Sequence, residues 1–429
     1  MEEVSGRALI AVKGKRYLWA IYFFLYIIFF LSQPFDLLWS THESYKNRDF
    51  TLIKSQEGSV QRRIALTGLS IFVIGYSLRR KKRNLCINGI LGGTITFFFI
   101  WTVISISWSG NSLITIRKVL VLLIIGLGAI TVSQYLSLLQ IMSFIVFSGT
   151  LTLILGVLSE IYQGIFSPFK EGYRFGGITH PTFQGWSLGL LCIASLFFSK
   201  IYQPKRIVYI LIGLVSFIFL LLTKARGPTW GIIVTLIVYL FIAVPKRRKH
   251  LIVYIIILCA LLYIAYVSLI DDYNFSSLAN IIALGREDSN ISTLTGRVGV
   301  WQVCILYIGH RPLHGYGYET FWTPEHLATV KIDPRGWAFP DSHNGYLSIL
   351  LGLGVIGFIT YIIIHSLGII KYLSIYKLTG KSEYLFASLS IIFLLMNIFV
   401  VAGQLEPYIN SFIHLAVVTK LGFSRLLEN

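Results

Sequence analysis

The chain has 429 residues, of which 55% are hydrophobic and 13% charged, and its mean hydropathy is +0.72. Apolar runs of about 18 residues or more are too numerous for a soluble domain, so the composition predicts an all-α polytopic membrane protein. The net charge of +18 does not indicate nucleic-acid binding, because apolar runs separate the basic clusters. The four cysteines lack the spacing of a metal site or a disulfide framework.

Apolar runs in chain order predict about twelve membrane-spanning helices. The runs lie at 17–32, 64–78, 87–107, 113–131, 136–159, 184–199, 207–223, 228–244, 250–270, 346–368, 384–402 and 407–424. Strands are not expected, because the runs lack a period of two and only helices or closed barrels span lipid. No small-residue cleavage site follows the first run, which predicts a span and not a signal peptide.

The basic loops predict the orientation of the chain in the membrane. If there are twelve spans, one face carries the basic segments at 13–16, 78–84, 199–206 and 245–250. The positive-inside rule makes that face cytoplasmic and places both termini inside. The chain then divides into a nine-helix region at 1–270, a large outer loop at 271–345 and a three-helix region at 346–429. Within the loop, the apolar pattern of "GRVGVWQVCILYIG" predicts a helix lying on the membrane.

Four arginines on the outer side are not explained as topology signals: Arg117, Arg174, Arg226 and Arg297. Charge at membrane depth is costly and usually faces an internal cavity. A guanidinium group presents a planar fork of donors that suits phosphate, so arginines converging on one cavity would bind a pyrophosphate. The alternative for each arginine is an interfacial side chain that reaches toward lipid headgroups.

The stretch "DSHNGYLS" places His343 and Asn344 at the start of an apolar run. Asp341 or Ser342 is expected to cap the following helix. An unperturbed histidine titrates near neutral pH, so His343 is a candidate general base for a hydroxyl group. The alternative is that the segment is only a capped helix start.

A second histidine, His180, follows two glycines in "FGGITHPTFQG" and precedes Pro181. It has either a supporting role at a site or an incidental place in a helix-start turn. The sequence contains no phosphate-binding P-loop, HExxH, GxSxG or DxD motif, so no metal or cofactor is expected.

Five segments occur in the order of a known family: "SWSGNSLITIRK", "RFGGITHPTFQGWSLG", "LLTKARGPTWG", "GRVGVWQVCILYIGHRPLHGYGYETFW" and "DSHNGYLSILLGLGVIGF". This order resembles the O-antigen ligase / O-antigen polymerase superfamily of bacterial membrane glycosyltransferases, from about Ser107 to Phe358. Two positions depart from the family pattern, since Thr182 replaces an asparagine and Ala225 replaces a serine before Arg226.

The resemblance implies a C-type glycosyltransferase (GT-C) fold in the bacterial inner membrane, with one large periplasmic loop and an active site facing the periplasm. The donor would be a glycan on undecaprenyl pyrophosphate and the acceptor lipid A-core, and the transfer would be metal-independent and inverting. The family's functional histidine falls on His343. Its basic residues fall on Arg174 and Arg226, then Arg297 and Arg117. From their positions in the sequence, Asp341, Asn344 and His180 are expected to be supporting residues.

The alternatives are a polymerase that joins repeat units on the same carrier, a protein O-oligosaccharyltransferase, a transporter of lipid-linked sugar and a non-catalytic scaffold. One large loop shortly before the last three spans favours the ligase over the polymerase.

Overall fold

A computed structural model of the protein describes residues 2–32, 59–79, 85–170, 172–243, 297–323, 326, 341–399 and 405–425. These residues form mainly α-helices. The helices are α1 (Glu2–Ser32), α2 (Val60–Arg79), α3 (Gly89–Ile104), α4 (Ser112–Tyr135), α5 (Leu138–Tyr162), α6 (Pro181–Ile201), α7 (Arg206–Leu222), α8 (Arg226–Ala243), α9 (Arg297–His310), α10 (Gly345–Thr379), α11 (Ser382–Ile398) and α12 (Ile409–Thr419). Short 3₁₀ turns extend α3 (Ser105–Trp108) and precede α7 (Gln203–Lys205).

Seven of the described helices are long and apolar enough to cross a membrane: α3 to α8 and α10, with their 3₁₀ extensions. Three shorter apolar helices add to them, namely Tyr17–Ser32 within α1, α11 and α12. The expectation of a polytopic helical membrane protein is therefore confirmed. The predicted span at 250–270 and most of the predicted loop at 271–345 lie outside the described residues.

The helix α6 lies at the centre of the bundle and packs on α5, α7, α8 and α11. Its tight contacts use small residues, since the Gly189 α-carbon lies against the ring of Phe393. The side chain of Trp186 is fully buried on the same helix. Close approach through small residues is how helices associate where lipid removes the hydrophobic driving force.

One end of the bundle collects the starts of α2, α4, α6, α8, α10 and α12. Lys118 near the start of α4 contacts Glu406, which precedes α12, and Arg62 near the start of α2 contacts the same carboxylate. Arg174, which precedes α6, donates to the carbonyl of Thr223 just before α8. We call this end the polar mouth; helix N-termini carry partial positive charge, so their convergence favours anions there.

The long helix α10 is broken at Gly354, whose φ is +64° and ψ −168°. The break leaves backbone groups without helical partners, and the segment 311–320 supplies them. Tyr316 N donates to Leu351 O at 2.7 Å and Gly317 N donates to Gly352 O at 3.0 Å. This segment, which we call the insert, thereby enters the bundle at a depth where every backbone group needs a protein partner.

The insert is also held from the other side of the break. Val355 N donates to Pro312 O at 2.8 Å. Two tryptophan side chains complete the arrangement, because Trp101 Nε1 donates to Leu353 O and Trp108 Nε1 donates to His314 O, each at 3.0 Å. The apolar run of α10 therefore forms two half-helices, and the first of them carries the candidate base at its start.

Two short strands depart from the all-helical prediction. Strand β1 (Leu85–Ile87) pairs antiparallel with β2 (Phe423–Arg425), at the end of the bundle opposite the polar mouth. The predicted last span at 407–424 is accordingly shorter as a helix, because α12 ends at Thr419 and the chain turns to pair with β1. An apolar run does not record where a helix gives way to a turn.

Candidate active site at the polar mouth

The start of α10 is capped by Asn344, not by Asp341 or Ser342 as expected from the sequence. Its Oδ1 accepts from the backbone N of Tyr346 at 3.0 Å and of Leu347 at 3.3 Å. Ser342 instead donates its hydroxyl to the Asn344 carbonyl at 2.6 Å. Because the amide does the capping, the carboxylate of Asp341 is left for another partner.

That partner is His343. Asp341 Oδ1 accepts from the His343 backbone N at 2.6 Å and lies 3.1 Å from His343 Nδ1. A carboxylate in this place holds the ring proton on Nδ1, so the lone pair of the neutral imidazole is on Nε2. The arrangement is that of an oriented general base.

His343 has a φ of +47°, in the left-handed region that non-glycine residues rarely adopt. The other described non-glycine residues with positive φ, Lys224 and Glu319, also lie at the polar mouth. Such backbone geometry costs roughly 1–3 kcal/mol and concentrates where structure is held for function.

Burial lowers the pKa of His343, the charge of Asp341 opposes this, and Arg297 lowers it further. The side chain is nevertheless 33% exposed. The ring is therefore neutral at pH 7 and remains reachable by a substrate.

Arg297 begins α9, and this helix is fastened to the start of α10 by a bond from Trp301 Nε1 to Ser342 O at 3.0 Å. Burial lowers the pKa of Arg297, Asp341 raises it and Arg226 lowers it. Arg226, the first residue of α8, is thus within electrostatic range of Arg297. Its Nε and Nη2 atoms are buried, and no hydrogen-bond partner for them occurs among the described residues.

Arg174 lies on the loop between α5 and α6 and donates from Nε to the Thr223 carbonyl at 3.2 Å. The neighbouring Phe175 N donates to Leu222 O at 2.9 Å, so the loop is fastened to the α7–α8 turn. The structure thereby brings Arg174 beside the turn that presents Arg226.

A buried carboxylate also holds the loop between α5 and α6 that carries Arg174. Glu160, 1% exposed near the end of α5, accepts from Gly176 N at 2.9 Å and Gly177 N at 2.8 Å through Oε1. Its Oε2 accepts from the Tyr173 hydroxyl at 2.5 Å. Sequence reasoning missed this residue, although its signal is an acid inside an apolar run, "LGVLSEIY".

The other two predicted residues have different surroundings. His180 caps α6, since its Nδ1 accepts from Thr182 N at 3.3 Å and Pro181 occupies the first helical position. Arg117 lies in electrostatic range of Arg62 and Arg63, at the start of α2. The structure therefore brings Arg174, Arg226, Arg297, Asp341 and His343 to one region and places Arg117 beside another cationic group.

The charged residues at the mouth that were missed from the sequence include Lys118, Glu319 and Glu406. Glu406 lies 3.1 Å from Lys118 Nζ and 3.6 Å from Arg62 Nη1. Burial alone would raise the pKa of Glu406, but these two cations lower it to about 2.

Glu319 lies on the insert and is held from both sides. The preceding residue, Tyr318, donates its N to Ser105 Oγ at 3.1 Å, and the Thr320 hydroxyl lies 3.1 Å from Ser109 Oγ. Burial raises the pKa of Glu319 to about 7, although Lys118 lowers it. No local motif marks these acids, because their role depends on contacts between distant segments.

No group of three or more His, Cys, Asp or Glu side chains within the described ranges is placed to hold a metal ion.

Comparison with known proteins relates part of this chain to a protein family and to a curated protein. Residues 210–362 match the protein-family model described as O-antigen ligase. An uncharacterised protein of Haemophilus influenzae is 24% identical over 215 residues, which are 47% of this chain and 53% of that protein, so the chain spans about half the length of this curated relative. The family match includes Arg226, Arg297, Asp341 and His343, whereas Arg174 and Arg117 precede it.

Proposed function

We propose, from the match of residues 210–362 to the O-antigen ligase family model, that the chain is a member of that superfamily and transfers a glycan from undecaprenyl pyrophosphate to lipid A-core. In this proposal it is a GT-C glycosyltransferase of the bacterial inner membrane. Both termini are cytoplasmic and the polar mouth faces the periplasm.

The observation that carries the proposal is the Asp341–His343 pair beside Arg297. The carboxylate fixes the ring proton on Nδ1, so Nε2 can accept a proton from a hydroxyl group of the acceptor. The hydroxyl oxygen then bonds to the anomeric carbon while the bond from that carbon to the pyrophosphate oxygen breaks. The pyrophosphate leaves with the electron pair, and direct displacement inverts the anomeric configuration.

The arginines supply the second half of the chemistry. Negative charge grows on the departing pyrophosphate, and Arg226 and Arg297 stabilise it in a partly buried place where such interactions are strong. The unpartnered Nε and Nη2 of Arg226 fit bidentate binding of a phosphate group. Arg174, held by the loop that Glu160 fixes, adds a third cation, and no divalent ion is required in this scheme.

The location of the charged residues also argues against a transporter. Transporters place their site near the bilayer midplane on broken helices. Here α10 is broken, but the insert fills the break with protein, and the charged groups gather at the polar mouth.

The test uses purified protein in lipid with an undecaprenyl-pyrophosphate glycan, with and without lipid A-core. Transfer only in the presence of lipid A-core supports the ligase, and a ladder of lengthened donor without it identifies a polymerase. His343→Ala should remain inserted but inactive, and Arg226→Lys should lose activity because the ammonium lacks the planar fork. Arg206→Gln, at the opposite end of the bundle, is the matched control. Wild-type turnover by His343→Ala would refute the role of the base.

A further inference from the structure

Two histidines lie inside the bundle, and the proposed mechanism does not use them. His365 is 3% exposed in the part of α10 that follows the break at Gly354, and His414 is 2% exposed on α12. Their rings are stacked with centroids 4.8 Å apart, and the two Nε2 atoms lie 2.6 Å apart. We call them the histidine pair. An ionisable side chain inside a membrane bundle is costly and often has a function.

The hydrogen bonds of the histidine pair fix where its protons lie. His365 Nδ1 lies 2.6 Å from the Tyr361 carbonyl oxygen, which can only accept, so this nitrogen carries the ring proton. His365 Nε2 then has a lone pair, and His414 Nε2 donates to it. The remaining atom, His414 Nδ1, is buried with its lone pair, and no described residue donates to it. A third proton therefore has only His414 Nδ1 to bind.

Apolar side chains surround the histidine pair. The pair lines a cavity of about 30 Å³ together with Tyr361, Leu405 and apolar residues of α3, α4, α10 and α12. Tyr361 is the other titratable residue in this lining within the described ranges, and its hydroxyl is buried there without a partner. No charged side chain from the described part of the chain lines the cavity. A third proton would therefore give the pair a positive charge that the lining does not compensate.

Charged residues next to the cavity in sequence are held elsewhere. Glu406, which follows Leu405, pairs with Lys118 and Arg62 at the polar mouth. Lys420, at the end of α12, donates to two carbonyls at the end of α4. The helices α1, α5, α9 and α11 also pack on α10 or α12, but their described residues add no titratable side chain to the lining. The histidine pair is therefore the group around this cavity that can respond to pH near neutrality.

We propose that the histidine pair is a proton-binding switch, which holds α12 against α10 while both rings are neutral and releases it when His414 Nδ1 takes a third proton. The added proton makes the pair an imidazolium–imidazole cation. Its charge is stabilised by water and not by the apolar lining, so the two helices separate to admit water. Because α12 follows directly on Glu406, its release also loosens the polar mouth.

The direction of the pH effect follows from proton counting. With α12 released or the chain unfolded, the two imidazoles bind protons below about pH 6.5, whereas the packed pair stays neutral. The open state therefore binds more protons at acid pH, and packing of α12 weakens as the pH falls below about 6.5. Each additional proton bound raises the opening constant about tenfold for each pH unit.

Hydrogen–deuterium exchange of the whole protein in lipid nanodiscs measures this release at about pH 7.5 and about pH 5.5, on either side of the histidine range. Rates are corrected for the intrinsic pH dependence of exchange. In the wild type, amides of α12 (Ile409–Thr419) exchange roughly 10-fold faster at the lower pH, whereas those of α4 (Ser112–Tyr135) change little. No substrate is present, so the result does not depend on the proposed function.

Two variants separate the histidine pair from general packing. The double variant His365→Leu with His414→Leu removes both rings, and its α12 exchanges at the same rate at the two pH values. Tyr372→Phe is the matched control, because it removes a 2.6 Å bond to the Val417 carbonyl between the same helices. A tyrosine hydroxyl does not titrate in this range, so this variant exchanges faster at both pH values and keeps the acid response.

Three results would overturn the inference. The first is equal protection of α12 at the two pH values in the wild type, a test that requires no variant. The second is an acid response that the double variant retains in full. The third is loss of the response in Tyr372→Phe, which would assign it to helix contact in general. If the double variant does not fold, His414→Gln replaces it, since glutamine has a donor for His365 but no basic nitrogen.

Discussion

Replacing Arg226 with methionine should make the ligand-free protein more stable while removing its activity. Methionine keeps an unbranched side chain of similar reach but has no charge or donors. In the ligand-free protein the Nε and Nη2 atoms of Arg226 are buried without a described hydrogen-bond partner. The guanidinium therefore destabilises the fold until an anion reaches it.

The size of the effect follows from the cost of such groups. A buried donor without a partner costs roughly 1–3 kcal/mol. Two donors on one guanidinium are not independent, and methionine also replaces its packing, so we expect a net gain of about 1–3 kcal/mol. In the proposed mechanism the same guanidinium stabilises the leaving pyrophosphate in the transition state, so its removal should reduce kcat about 100- to 1,000-fold.

Thermal unfolding in detergent, with and without undecaprenyl pyrophosphate, measures both the stability of the ligand-free protein and the stabilisation by the ligand. The wild type should gain about 2.7 kcal/mol at a ligand concentration of 100 Kd, whereas Arg226→Met should gain far less. Arg206→Gln, on the opposite end of the bundle, should behave as the wild type in both conditions. A ligand-free Arg226→Met protein that melts at or below the wild-type temperature would refute the reasoning.

Gly354→Ala should destabilise the protein by more than about 1–3 kcal/mol in thermal unfolding, because φ is +64° and a Cβ would lie 2.3 Å from the Leu313 carbonyl; Gly93→Ala, a helical glycine with open space, is its control. Asp341→Asn should move the acid limb of the pH–rate profile to lower pH, since Asp341 raises the pKa of His343 and the base works only while neutral. An unmoved limb would show that His343 is not the titrating base. Glu160→Gln should raise the donor KM more than it lowers kcat, because loss of the Tyr173 bond loosens the loop that carries Arg174; an unchanged KM would contradict this.

The apolar runs located the helices because a span must be long and continuous to cross lipid. The run at 113–131 became α4 (Ser112–Tyr135), and the run at 136–159 became α5 (Leu138–Tyr162). The break at Gly354 could not be predicted, since a glycine within an apolar run is compatible with a helix. What opens α10 there is a set of hydrogen-bond partners in the insert, such as Tyr316 for Leu351 and Pro312 for Val355, which lie far earlier in the chain.

The candidate site, like the fold, could be predicted only in part from the sequence. Asp341, His343 and Arg297 are close in sequence to recognisable features, and the structure brings them together. The cap assignment failed because Asp341, Ser342 and Asn344 are all good capping residues, and only the helix register decides among them. Glu319 and Glu406 were not predicted as site residues, because each comes close to Lys118 only in the folded protein. Lys118 is remote in sequence from both acids.

The backbone hydrogen bonds between the insert and α10 also bear on the order in which these segments can fold. The carbonyls of Leu351 and Gly352 have their donors in Tyr316 and Gly317, which are synthesised earlier. The insert, which carries the donors, is therefore synthesised first. The first half-helix of α10 can then form its hydrogen bonds with a segment that is already present. A circular permutant with its ends between the two segments would reverse that order, so its half-helix would enter lipid with bare carbonyls. We therefore expect insertion of α10 to depend on the order of synthesis as well as on the hydrophobicity of the span.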